Sequence, residues 1–437
     1  MVYGCIVYGS AKKHILKHLD PIHHQGLRIA LGAFRTSPVK SLYVEADEPS
    51  LEHRRLKLSL NYFLKIKSFP NNPCFDSVSK IPIPPSPEDN NPDSTFGART
   101  GIHARNIINT EFIDDHHVPT PPPWERNRIN FNVSLSEFPK ENTNTTVFKQ
   151  EFLNLREKFF SENFCEVYTD GSKRERKVAA AAFSPNYPED PSVLRLRDGS
   201  SVFSAELEGI LLALRKIKIL SRKNEKFVIF TDSLSAIQAI QNKNFKNNNV
   251  KRIYNLVKSI TSQVSLFLVW IPAHVGIQGN EKADQLAKST LEKSENKNHY
   301  LCWSDLKPEV NKYINDILQK EWDGDVANKL HEILPIMSDK PSNGVIKLNR
   351  KQETTLSRLR IGHTWLTNSY LLKKEDQPFC YACDSLYTVR HILVECSDFL
   401  DTRKNFYNIS NMYQLFREIS PTKIINYIKE IGIYAKI

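Results

Sequence analysis

Cys165-Glu166-Val167-Tyr168-Thr169-Asp170-Gly171-Ser172 reads as an alternating strand that delivers a carboxylate to a tight turn. The chain beyond it keeps this rhythm. Lys177 to Phe183 and Val193 to Arg197 predict two more strands, and Ala205 to Ile219 predicts a helix with apolar residues at helical spacing. Phe227 to Thr231 predicts a short buried strand ending on Asp232, and Ser233 to Ile240 and Val250 to Ile260 predict helices. Val264 to Ile271, rich in β-branched and aromatic residues, predicts a fifth strand, after which Asn280 offers a helix N-cap with Glu281 in the first turn. Three strands followed by alternating helices and strands imply an α/β fold, a mixed five-stranded sheet with helices on its faces.

Four acids punctuate this stretch: Asp170, Glu206 in Ser204-Ala205-Glu206-Leu207, Asp232 in Thr231-Asp232-Ser233, and Asp284 in Asn280-Glu281-Lys282-Ala283-Asp284. Two stand at predicted strand ends and two on predicted helices, so the fold can converge them on one cleft. A set of carboxylates without thiol or imidazole suits hard divalent cations, Mg²⁺ foremost and Mn²⁺ as an alternative. Two such ions about 3.5 to 4 Å apart would activate a water and stabilise the leaving oxygen of an in-line phosphodiester attack. Each acid also has a plain structural reading, as turn residue, cap or partner of a helix dipole.

Composition narrows the partners. The 437 residues carry a formal net charge of +11, which favours a polyanion, because Lys and Arg that neutralise phosphates release condensed counterions. No apolar run is long enough to span a bilayer, and the amino terminus lacks the pattern of a secretory signal, so an intracellular protein is expected. Seven cysteines make no even disulfide framework.

Outside residues 164 to 292 the organisation changes. Residues 1 to 68 predict helices, with Leu51, Leu56, Leu60 and Leu64 at helical spacing among basic residues. Residues 69 to 144 read as a proline-rich linker, with Pro82, Pro84, Pro85, Pro87, Pro92, Pro119 and Pro121 to Pro123 among polar residues. Within it, Phe112-Ile113-Asp114-Asp115 superficially matches a polymerase box, but it precedes His116, His117 and the prolines instead of sitting in a hydrophobic hairpin. A connecting helix is expected over 145 to 163 and a helical region over 300 to 375. Cys380, Cys383, His391 and Cys396 follow in a Cys-x2-Cys-x7-His-x4-Cys module at 376 to 410, enough for tetrahedral Zn²⁺, before a tail at 411 to 437.

The ordered blocks Thr169-Asp170-Gly171-Ser172, Ala205-Glu206-Leu207, Thr231-Asp232-Ser233 and Trp270-Ile271-Pro272-Ala273-His274 through Asp284 resemble the type 1 ribonuclease H domain. The resemblance implies a two-metal hydrolysis of the RNA strand of RNA/DNA hybrids. Asp170, Glu206, Asp232 and Asp284 would be the metal ligands, with His274 aiding proton transfer or product departure. Between Asp232 and Trp270 there is no room for the extra basic helix that some members use to grip hybrid. Residues 3 to 64, Arg358-Leu359-Arg360-Ile361-Gly362-His363-Thr364 and the Cys/His module resemble the carboxyl-terminal part of jockey-like non-LTR retrotransposon reverse transcriptase polyproteins. The 1 to 68 segment would then be the end of the reverse-transcriptase region. A nucleic-acid-binding module without turnover is the alternative this context leaves open.

Overall fold

The computed structural model describes residues 4–80, 95–115, 117–122, 124, 129–138, 143–220, 225–260, 264–339 and 347–437. Pro82, Pro84, Pro85, Pro87, Pro92, Pro123 and His116 lie outside the described residues. In chain order the longer elements are α1 (Asp20–Leu31), α2 (Val39–Ala46), α3 (Leu51–Lys67), α4 (Phe96–Arg105), β1 (Asn130–Asn132), α5 (Thr145–Ser161), β2 (Phe164–Arg174), β3 (Lys177–Phe183) and β4 (Ser192–Arg195). They continue with α6 (Val202–Leu220), β5 (Lys226–Thr231), α7 (Leu234–Gln241), α8 (Asn248–Ile260), β6 (Ser265–Trp270), α9 (Gln278–Thr290), α10 (Lys307–Asp323), α11 (Lys329–Ile333) and α12 (Arg350–Ile361). The carboxyl end adds β7 (Phe379–Cys380), β8 (Ser385–Leu386), α13 (Leu400–Phe406), α14 (Met412–Glu418) and α15 (Pro421–Glu430). The chain divides into two compact units, one of Met1–Leu60, Glu88–Phe96 and Val310–Ile437, the other of Asn61–Pro87 and Gly97–Glu309.

The second unit is built on a six-stranded sheet in the order β1-β6-β5-β2-β3-β4. The five expected strands are present. β2 pairs with β5 in parallel and with β3 in antiparallel, so the sheet is mixed. Helices cover both faces because β3 and β5 are near-continuous apolar runs buried on both, and β2 between them is buried from Glu166 to Asp170. Leu207, Ile210, Leu211 and Leu214 of α6 and Ile253 and Val257 of α8 share a core with Ile229, Phe230, Leu266 and Leu268. From α5, Phe152 and Phe159 join it edge-on to Phe230, with centroids 5.5 and 6.1 Å apart. The helix is also clamped by Arg156, whose Nε and Nη2 donate to buried Glu166 at 2.7 and 3.0 Å. No helix among the described residues is long and apolar enough to cross a membrane.

The stretch read as a linker differs from that expectation. Asn130, Phe131 and Asn132 form β1, pairing in parallel with Phe267, Leu268 and Val269 of β6. Upstream, Ile113 bridges Leu301. The neighbouring Asp114 is buried and accepts from Arg252 at 2.8 Å and from Asn248 at 3.3 Å. Asp114, from the acidic pair that superficially matched a polymerase box, therefore supplies a structural clasp on α8. Proline content masked these contacts because each is made with residues far along the chain.

The first unit joins both ends of the sequence. Leu27, Leu42 and Ile361 pack together, and Val44 enters the core of Trp322, Leu330, Leu356, Leu359 and Leu415. Within the region expected to be helical over 300 to 375, α12 stops at Gly362, which takes the left-handed conformation (φ 75°) that a side chain disfavours. The segment read as a tail is α14 and α15, whose Leu415, Phe416, Ile424, Ile425 and Ile428 are buried in that core. The pattern Ile424, Ile425, Ile428 is the i, i+1, i+4 face of an amphipathic helix, and burying each such side chain stabilises by roughly 1.5 to 3 kcal/mol.

Candidate metal centres

Asp170 lies inside β2, not at its end as expected. The parallel ladder with β5 stops one residue earlier at Thr169, while the antiparallel ladder with β3 carries Asp170 opposite Ala181. Its side chain therefore emerges where β5 has ended and the sheet opens. Asp232 sits there too, one residue beyond β5. Glu206 reaches the same opening from the second turn of α6. That helix approaches closely because the next strand residue is glycine: a Cβ on Gly171 would stand 2.7 Å from the Glu206 backbone N.

One oxygen each of Asp170, Glu206 and Asp232 lies within 4.8 Å of the others. Two oxygens on opposite sides of one Mg²⁺ are about 4.2 Å apart, so the three fit a single hard cation with little movement. Burial comes first among the causes that push Asp170 up to about 8, followed by the charges of Asp232 and Asp284, with Lys288 opposing. Burial and the charges of Asp170 and Asp232 hold Glu206 well above the usual carboxylate range, and burial raises Asp232 as well. Glu206 Oε2 is buried with no hydrogen-bond partner. An orphaned buried oxygen among repelling carboxylates is what a cation would satisfy.

Asp284 is not within that group of three. It stands in the second turn of α9, where Lys288 Nζ donates to Oδ2 at 2.7 Å. It remains near enough to raise Asp170. His274 is exposed in the loop after β6, with a left-handed backbone (φ 58°), and its charge acts on Asp232.

Asn280 was expected as an N-cap and is not one. The helix starts earlier, with Ile277 as the cap residue, and Asn280 lies buried within it, donating Nδ2 to Asp232 Oδ2 at 3.2 Å. That bond lowers the affinity of Asp232 for protons and fixes one of its oxygens. Trp270 Nε1 donates to the Asp232 backbone oxygen at 3.0 Å, so both the main chain and the side chain of Asp232 are tethered. Neither role was read from the sequence; the Trp270-to-Asp284 block held both residues, but no local pattern says which distant acid they serve.

In the first unit the structure brings together Cys380, Cys383, His391 and Cys396, with ligand atoms within 4.8 Å of one another. Cys380 and Cys383 Sγ each lie 3.9 Å from Cys396 Sγ. A tetrahedron with bonds of about 2.3 Å has edges near 3.8 Å, so these sulfurs are spaced for one small ion. The imidazole is set for the same task. His391 Nδ1 lies 3.2 Å from Ser385 Oγ, while Nε2 is buried and unpartnered. His391 to Glu395 form a π-helical turn, a rare backbone that often marks functional sites.

Residues 162–292 match the family model described as RNase H. Among solved structures, the chain is similar to LC11-RNase H1 in complex with an RNA/DNA hybrid, at 17% identity over 29% of this chain and 94% of that one, with a TM-score of 0.25. It is likewise similar to LC11-RNase H1 isolated from compost by a metagenomic approach, at 18% identity over 30% of this chain and 96% of that one, TM-score 0.25. By the family match, residues 162–292 form an RNase H domain within a longer chain.

Proposed function

We propose that the protein hydrolyses the RNA strand of RNA/DNA hybrids, leaving 5′-phosphate and 3′-hydroxyl ends. The observation that carries this reading is the convergence of Asp170, Glu206 and Asp232 at the edge where β5 ends, within the segment that matches RNase H. Bound Mg²⁺ or Mn²⁺, as a pair in the two-metal form of the reaction, would supply an activated water and stabilise the leaving oxygen. Asp170, Glu206 and Asp232 hold the cations, with Asn280 and Trp270 fixing Asp232. Asp284 completes the site by leaving Lys288, which stays beside the incoming phosphate as a positive charge. His274, exposed on its loop, moves a proton at the departing 3′ oxygen.

The Cys380, Cys383, His391 and Cys396 cluster, on this reading, holds Zn²⁺ as a closed structural site. The domain layout given above and the jockey-like retrotransposon context, in an intracellular setting, belong to the same proposal. Both rest on the motif resemblances in the flanks.

The test is cleavage of a labelled RNA/DNA hybrid by the full chain in Mg²⁺, beside duplex RNA and duplex DNA. Wild type should cut the hybrid alone. Asp232→Asn should lose at least about a thousandfold in rate, some 4 kcal/mol of barrier, with the fold intact. Hybrid binding without cleavage by wild type would replace the enzyme with a binding module.

A further inference from the structure

A second candidate site lies in the first unit and uses none of the carboxylates discussed so far. Gln25, Arg28, Ile29 and Arg35, from α1 and the turn after it, and Arg358 from α12 line an open pocket of about 520 Å³ together with Gly32 and Ala33. Three guanidiniums line it and no carboxylate does. Such a concentration of like charge is unfavourable in the free protein and calls for an anion.

The arginines are not equally committed. Arg358 Nε donates to the Gly32 carbonyl at 2.7 Å and Nη1 to the Ile437 carbonyl at 2.6 Å, so it closes the end of α1 and contributes charge more than free donors. Arg28 uses Nη2 on the Ser37 carbonyl at 3.3 Å, but its Nε is buried without a partner. Arg35 and Gln25 are exposed and make no hydrogen bond or ion pair among the described residues. An exposed, uncommitted guanidinium in a pocket lined by two further arginines is an arrangement that an oxyanion completes.

We propose that this pocket binds the phosphodiester backbone of a nucleic acid. Phosphate is the shared chemistry of several anions, and two features favour the polymer. The pocket is far larger than one phosphate, and Ile29, 67% exposed, offers an apolar surface against which a sugar or base can rest. Phosphate contacts of this kind hold a strand without reading its sequence. The site goes beyond the hydrolytic reading and does not depend on it.

The experiment measures equilibrium binding by the full chain carrying Asp232→Asn, with hybrid, single-stranded RNA and duplex DNA of equal length across a salt series. Arg35→Glu should weaken all three complexes about tenfold. It should also make the slope of log affinity against log salt shallower by about one. Arg35→Lys should recover most of the loss. A folded Arg35→Glu protein, with unchanged melting temperature, whose affinity stays within twofold and whose slope is unaltered would overturn the proposal. A second arm titrates inorganic phosphate into wild type and Arg35→Glu by calorimetry. Phosphate binding that Arg35→Glu removes while oligonucleotide affinity is unchanged would assign the pocket to the free ion and also overturn it. Hybrid cleavage by the chain with Asp232 intact is read separately, so failure of this site and failure of the hydrolytic reading are told apart.

Discussion

Asp170, Glu206 and Asp232 stand on three long elements: an eleven-residue strand, a nineteen-residue helix and the end of a buried strand, all locked by one large core. Cys380 ends a strand of two residues, Cys383 lies in the turn after it, His391 opens a single π-helical turn and Cys396 follows that turn. The first cluster holds its charges together against their own repulsion, and the fold does the holding. In the second, Ile392, Leu393 and Val394 anchor the turn of His391 in the core of the first unit, but Cys380 and Cys383 rest on a two-residue strand and the turn after it, so on the zinc reading a common ion would hold that half. The two regions thus differ in how far the chain alone places the ligands, and their responses to metal removal should differ accordingly.

Chelation gives the largest expected difference. Stripping both sites with a strong chelator should destabilise the Cys/His module by several kcal/mol and release its amides to hydrogen exchange. The six-stranded sheet should stay protected throughout. Equal loss of protection in both regions would break the contrast, and metal analysis of Cys383→Ser, which should hold less zinc than wild type, checks the identity of the ion.

A smaller effect concerns the support of the carboxylates. Asn280→Ala removes the bond to Asp232 without touching a cation, and losses of such supports typically weaken metal affinity or activity about 10- to 100-fold. Mg²⁺ titration of hybrid cleavage should show the midpoint shifted upward, with the rate largely recovered at high Mg²⁺. A lost rate that no Mg²⁺ concentration restores would mean that Asn280 acts on substrate directly.

The smallest effect is a gain. With no cation bound, Asp232→Asn relieves repulsion and should stabilise the protein by about 1 kcal/mol. The sign with pH follows from the raised carboxylates. Their folded-state affinity for protons exceeds the unfolded one, so the folded metal-free protein binds more protons and loses stability as pH rises toward about 8, where Asp170 ionises. The advantage of the variant should therefore be greatest at and above pH 8 and fade toward pH 4. Thermal melting in chelator across that range measures it, and an advantage that grows on acidification would contradict the repulsion described here.

What could be read beforehand divides along the same line. The strands that carry Asp170 and Asp232 announce themselves by local apolar runs, and the helix of Glu206 by its spacing, so the core of the sheet and three of its acids were legible. Local reasoning failed wherever a role is set by a distant partner. Asn280 followed by Glu281 looks like the start of a helix, yet its side chain serves Asp232 across the fold. Leu27 and Ile361 are unremarkable apolar positions until the two ends of the chain meet. Asp114 reads as part of a polar linker because Arg252 is nowhere near it in sequence.

β1 has a consequence for how the domain can be isolated. Its three residues precede the segment that matches RNase H, and they cap the parallel strand β6 along the side not occupied by β5. A fragment cut at residue 162 would uncover that row of backbone groups and also lose α5 with its two core phenylalanines. Such a bare edge recruits strands from neighbouring molecules. The excised domain should therefore self-associate with rising concentration, and extending it back through residue 129 should restore a monodisperse species in sedimentation.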